Sequence, residues 1–384
     1  MNFSLLIKPA SADCNLRCDY CFYLDHCNLY PETKVHRMSD KVLECMVESY
    51  YATPQPLYSF VWQGGEPLLM GESFYQTVTD MQMAYGRPGS EVSNSIQTNA
   101  TLITDRFAKM FKACNFLTGV SLDGPAELHD KGRPDPSGKG SHARVIKGIN
   151  TLKKYQAEFN ILTLVSKYNI KHPVEIYDYL VNDIDSKFLQ FIECVELDEF
   201  GKMPPYCITA GEWGEFLCRI FDRWYDSDSR NISVRLFDTI ITKMVTGQDI
   251  CCTSGRDCRQ YLVVEYNGDV YPCDFHVLPE LKLGNVLTHS WEEMTDSKIY
   301  EDFGARKSDL HQDCKVCPYL KFCGGDCPKN RVGHTSGRAN KLSYICEGLK
   351  MFFEHSLPKF QKLADVVIKE RQERAQDKAQ DRES

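Results

Sequence analysis

Within the first two hundred residues, six short apolar and β-branched runs recur, at residues 3–7, 58–62, 92–97, 116–121, 159–165 and 188–192. Between them lie patterns with helical period, for example at 40–51, 105–114, 144–155 and 173–181. Alternation of this kind leaves few solutions. Strands separated by helices run parallel and are joined by right-handed crossovers. A closed α/β barrel needs eight such units; six predict an open, partial (β/α)6 barrel.

Barrel enzymes build their sites where the strands end. The polar and glycine-rich segments fall at those ends: Cys14–Cys21 after the first strand, Gln63-Gly64-Gly65-Glu66 after the second, Gln97-Thr98-Asn99 after the third and Ser121-Leu122-Asp123-Gly124 after the fourth. One such turn would be ordinary loop chemistry. Four on one rim, with a cysteine triplet among them, predict a site.

After helical patterns at 212–225 and 236–245 the character of the chain changes. Apolar runs at 261–266 and 270–275 flank Asn267-Gly268, a strong hairpin signal. Cysteine-dense loops follow. We place a boundary near residue 230, with a core domain over 1–230, a cysteine-rich domain with a hairpin and C-terminal helices over 231–358, and a polar helix or tail over 359–384. From about Lys369 the tail lacks an apolar stripe and reads as a frayed helix or disordered chain.

The chain has 384 residues and a net charge of −8, a balance that argues against nucleic acid as a partner. No apolar run is long enough to span a membrane, and the N-terminus lacks the flanks of a signal peptide. The expectation is a cytoplasmic protein. Eighteen cysteines are many for that compartment, where disulfides are rare, and point to metal or cluster ligation. Seven of them (Cys27, Cys45, Cys114, Cys194, Cys207, Cys218 and Cys251) fit no ligand spacing and read as buried structural thiols.

Cys14-x3-Cys18-x2-Cys21 supplies three thiolates from one loop, with His26 the nearest histidine. Structural zinc needs four ligands. A cubane iron–sulfur cluster can keep three thiolates and offer its fourth iron to S-adenosylmethionine, whose sulfonium is cleaved by one electron to release a carbon radical. Gly64 and Gly65 allow close backbone approach to a ligand, and Glu66 can pair with an amino group. Further along come Cys252-x5-Cys258, Gly268-x4-Cys273, Cys314-x2-Cys317-x5-Cys323-x3-Cys327 and Cys346. Eight thiolates suit two fully ligated clusters or two zinc ribbons. Asp274, beside Cys273, is either a base held near a redox centre or a hairpin-end carboxylate facing water.

The triplet, the aromatic pair Phe22-Tyr23 after it and Gly64-Gly65-Glu66 resemble the radical SAM superfamily, and the C-terminal cysteines resemble its SPASM extension. The stretches LLIKPAS, CFY, QGGEP, LQFIEC and VYPCDF together resemble the anaerobic sulfatase-maturating enzymes, over about residues 4–355. The resemblance implies oxidation of a sulfatase cysteine or serine to Cα-formylglycine. It implies three 4Fe-4S clusters, S-adenosylmethionine, and an electron donor such as flavodoxin or ferredoxin. It also implies roles. Cys14, Cys18 and Cys21 hold the first cluster; Cys252, Cys258, Cys273 and Cys327 hold one auxiliary cluster, and Cys314, Cys317, Cys323 and Cys346 the other. Gly64, Gly65 and Glu66 hold the methionyl amino group, Ser121 and Arg133 the ribose and carboxylate, and Tyr20 and Val195 meet the adenine. Asp274 is the base, while Tyr23 and Gln63 contact a sulfatase segment of Cys/Ser-x-Pro-x-Arg type. Another SPASM maturase, crosslinking or epimerising a ribosomal peptide, would share every cysteine. His276, where the family commonly has an aromatic residue, and the loop 196–206 depart from its pattern.

Overall fold

The computed structural model describes residues 2–24, 29–196, 202–331 and 342–383. Six parallel strands form as expected: β1 (Ser4–Lys8), β2 (Leu57–Trp62), β3 (Glu91–Thr98), β4 (Phe116–Ser121), β5 (Phe159–Val165) and β6 (Phe188–Glu193). They are adjacent in chain order, with helices such as Asp40–Ala52, Glu72–Tyr85, Asp105–Ala113 and His142–Lys154 on the crossovers. Asp40–Ala52 shows why such segments are helical. Ser39 caps it by accepting from Val42 N, and Val42, Leu43, Met46, Val47 and Tyr50 form one buried stripe.

The sheet continues beyond the six strands at both edges. A two-residue strand β7 (Ser233–Val234) adds parallel to β6. At the other edge β8 (Tyr261–Glu265) lies parallel to β1, with Ser4 opposite Tyr261 and Lys8 opposite Glu265. Strand β9 (Asp269–Tyr271) turns back against β8 in the hairpin read from Asn267-Gly268, and β10 (Gly284–Asn285) pairs with β9. The order β10-β9-β8-β1-β2-β3-β4-β5-β6-β7 is linear, so the barrel is open. The sheet runs without a break across the boundary drawn near residue 230.

Behind β6, the helix Ala210–Ser227, closed by a Thr209/Glu212 capping box, packs on the long C-terminal helix Cys346–Glu383. Phe221 meets Phe360 at a ring distance of 4.6 Å, and Trp224 meets Phe237 at 5.0 Å. The polar tail is part of this helix, which continues to Glu383. Among the described residues no helix is long and apolar enough to cross a membrane.

Candidate active site

The loop after β1 carries the cysteine triplet, and the segment after β2 seats it. Gly65 N donates to Ser11 O and Glu66 N to Asp13 O, both at 2.7 Å. A Cβ on Gly65 would stand 2.1 Å from Asp13 O, and Gly64, at φ +127°, would place one 2.7 Å from Ser11 O. The close approach that these glycines permit is therefore to the cysteine loop itself. Glu66 is fully enclosed. Its carboxylate accepts from Leu68 N (2.9 Å), Thr98 Oγ1 (2.8 Å) and Asn99 N (2.9 Å), tying the end of β2 to that of β3. Burial outweighs these bonds and pushes its pKa up to about 7.

Cys14, Cys18 and Cys21 are half-buried. Leu16 N and Asn99 Nδ2 point at Cys14 Sγ, at 3.4 and 3.8 Å. Burial pushes Cys14 up to about 12 and Cys18 to about 11, the latter against the pull of the Arg133 guanidinium. Thiolates in such a pocket need a cationic partner, and iron supplies one. Arg133 is far from a solvated loop cation. Its Nε and Nη2 grip Asp123 at 2.7 and 3.0 Å, and the guanidinium lies 5.4 Å from the Tyr20 ring centroid. The Tyr20 hydroxyl also donates to Asp123. Tyr20 packs against Tyr168 and Tyr206, and Val195 is buried just past β6. Ser121, at the end of β4, accepts from Gln97 Nε2 at 3.0 Å.

Asp274 does not face water. It is 7% exposed, and its carboxylate accepts from Gln63 Nε2 and Tyr261 OH, both at 3.0 Å, with Lys8 Nζ at 3.7 Å. Tyr261 OH also lies 3.3 Å from Cys273 Sγ. This cluster sits where β1, β2 and the hairpin meet. Tyr23, expected on the rim, is 1% exposed. It lies in the core with Val263 and Tyr271, its hydroxyl bonded to Glu265 and its ring 4.3 Å from Lys8 Nζ. Sequence reading missed Lys8, Tyr261 and Glu265, and gave Asp123 a place on the rim without a role. A lysine closing an apolar strand before Pro9 was the available signal for Lys8, since a charged side chain at a sheet interior position needs a partner.

The C-terminal cysteines fall into two spatial groups that cross the linear order. Cys314, Cys317, Cys323 and Cys346 line one cavity with Tyr319, Leu320, Leu349 and Phe353, an apolar cradle suited to a cluster. Cys252 lies within electrostatic reach of Cys258 and of Cys327, and Cys327 of Cys273. Among the described residues no three His, Cys, Asp or Glu side chains converge on a point for a single metal ion. Cubane thiolates, each on a different iron, need no such point. Of the seven thiols without ligand spacing, Cys194 and Cys207 are buried and Cys45, Cys114, Cys218 and Cys251 half-buried. Cys27, His26 and part of the loop 196–206 lie outside the described residues. His276 stacks edge-on against Phe303 at 5.4 Å.

Comparison with known proteins fits this geometry. Residues 9–180 match the radical SAM superfamily, and residues 252–318 match SPASM, an iron–sulfur cluster-binding domain. A serine-type anaerobic sulfatase-maturating enzyme of Bacteroides thetaiotaomicron is 38% identical, over 92% of this chain and 89% of its own. The chain belongs to the anaerobic sulfatase-maturating enzymes. A cysteine-type member from Clostridium perfringens is 36% identical, over 95% of this chain and 99% of its own. The solved structure of native anSMEcpe with AdoMet and a peptide bound superposes with a TM-score of 0.88 at 34% identity, covering 95% of this chain and 99% of that one. Streptococcus suis SuiB, bound to its precursor peptide, shares the fold alone, at 18% identity and a TM-score of 0.63. This family member is thus a radical SAM enzyme whose matched SPASM region contains β8, β9 and β10.

Proposed function

We propose that this enzyme oxidises one cysteine or serine of a sulfatase segment, Cys/Ser-x-Pro-x-Arg, to Cα-formylglycine, with Asp274 as the base. The observation that carries the reading is the placement of Asp274: enclosed, held by Gln63 and Tyr261, and adjacent to Cys273. Cys14, Cys18 and Cys21 hold the cluster that takes S-adenosylmethionine, while Cys252, Cys258, Cys273 and Cys327, and Cys314, Cys317, Cys323 and Cys346, hold two more. When bound, these groups supply a 5′-deoxyadenosyl radical that removes hydrogen from Cβ, and an acceptor for the electron left behind.

The chain's own residues do the rest. Gln63 and Tyr261 fix both oxygens of Asp274, so that one can face the substrate thiol or hydroxyl and take its proton as Cβ is oxidised. Serine then yields the aldehyde directly, and cysteine a thioaldehyde that water hydrolyses. Arg133, anchored by Asp123, presents a fixed guanidinium beside Cys18, where the carboxylate of S-adenosylmethionine would pair with it. Ser121, Tyr20 and Val195 line the same ends of the strands, toward ribose and adenine. Gln63 also reaches the peptide, and the reductant is a flavodoxin- or ferredoxin-like donor.

The test is anaerobic turnover of paired Cys- and Ser-type sulfatase peptides, read by mass spectrometry. An aldehyde on either peptide supports the proposal. Formation of 5′-deoxyadenosine with both peptides unchanged in mass would overturn it in favour of another peptide maturase.

A further inference from the structure

Lys307 lies just beyond the helix Lys298–Ala305 and is 1% exposed. Its ammonium donates to Thr253 O at 2.7 Å and to Asp326 O. Those carbonyls belong to the neighbours of Cys252 and Cys327, two segments far apart in sequence. Among the described residues no carboxylate lies within ion-pair distance of it. The carboxylate of Asp326 is occupied instead by Asn330 Nδ2 (3.0 Å) and Ser343 Oγ (2.6 Å).

A buried ammonium satisfied only by neutral carbonyls is costly. The anionic groups within its electrostatic reach are the Asp326 carboxylate and the thiolates of Cys252, Cys258 and Cys327, with Cys323 of the other group also within reach. A cubane on four thiolates is an anion, and reduction adds one more negative charge. A fixed cation beside it, in a dry pocket, therefore stabilises the reduced state more than the oxidised one. The other cysteine group meets Lys307 at Cys323 alone; its further cations are Arg331 beside Cys314 and Lys350, near Cys346 and Cys317, which is half-exposed and paired with Glu347.

We infer that Lys307 raises the reduction potential of the cluster held by Cys252, Cys258, Cys273 and Cys327, and so makes it the acceptor of the substrate radical's electron. The inference rests on the cluster assignment above. One electron passes, the carbon radical is oxidised, the cluster is reduced, and the proton goes to Asp274. Lys307 acts through the cluster and touches no substrate.

The experiment is an EPR-monitored redox titration of anaerobically reconstituted full-length protein, with Cys14, Cys18 and Cys21 changed to Ala so that only the auxiliary signals remain. Lys307→Gln keeps an N–H donor for the two carbonyls but removes the charge. It is expected to load as much iron as its parent, with one midpoint potential lowered more than the other, and Lys307→Arg should restore the parent values. Full iron with both potentials unchanged would overturn the inference, as would loss of iron in Lys307→Gln, which makes the charge an assembly requirement. A parent that holds zinc in place of iron would instead sink the cluster assignment before Lys307 is altered.

Discussion

Arg133 and Asp123 meet in a two-pronged ion pair, Nε to Oδ2 at 2.7 Å and Nη2 to Oδ1 at 3.0 Å, with side chains 12% and 4% exposed. Asp123 also accepts from Leu164 N at 3.0 Å, so the pair ties β4, β5 and the cysteine loop together. Breaking a buried pair from one side leaves an uncompensated charge. Arg133→Met is expected to lower unfolding free energy by about 3–5 kcal/mol in denaturant titrations. It should also abolish 5′-deoxyadenosine formation. Unchanged stability would mean that Asp123 finds another partner.

Asp274→Asn keeps size and much of the hydrogen bonding but cannot accept a proton. Loss of a positioned base costs a factor of about 10² to 10⁴ in rate. The variant should still cleave S-adenosylmethionine yet yield little formylglycine. Chromatography of 5′-deoxyadenosine alongside peptide mass spectrometry would show the two products uncoupled.

Iron content tests the cysteine grouping. Reconstituted protein should hold about twelve irons, given four per cluster, and the Cys14, Cys18 and Cys21 to Ala variant about eight. That variant should make no 5′-deoxyadenosine. Retained cleavage would place the active cluster elsewhere.

His129, which supports Asp123 from behind, provides a pH dependence. Its Nδ1 accepts from Asp123 N (3.2 Å) and its Nε2 pairs with Ser141 Oγ (3.0 Å), an arrangement made for the neutral ring. Burial pushes its pKa from 6.5 down to about 4. Because the unfolded chain binds the proton first, stability is intact at neutral pH and is lost as pH falls between those values. The loss is on the order of 3 kcal/mol from this group. His129→Gln, compared with wild type by unfolding at a series of pH values, should show that much less acid sensitivity.

The six parallel strands were legible because each is a compact apolar run between helical patterns, and the hairpin because Asn-Gly sits between two such runs. The pairing of β8 with β1 was not, since which strand joins an edge depends on tertiary packing. Strand β7, at two residues, carries no period at all. The cysteines of the site were visible as residues, but spacing could not sort them into two crossing groups. Asp274 read equally as a solvated residue, because its burial comes from Gln63 and Lys8, more than two hundred positions away. Arg133 was legible through the family resemblance alone, because its burial depends on Asp123, which looked like ordinary turn chemistry.

The pairing of β1 with β8 also sets an order of events during synthesis. Ser4 must wait for Tyr261 before that edge of the sheet is covered. At roughly 5–20 residues per second, the first strand emerges with one side open for tens of seconds. Until then the adjoining cysteine loop lacks Lys8's partners Glu265 and Asp274. A nascent chain halted near residue 230 would expose a bare β1 edge of the kind that recruits other chains. The surroundings of the cysteine loop are therefore completed late in synthesis, although the loop itself is among the first segments made.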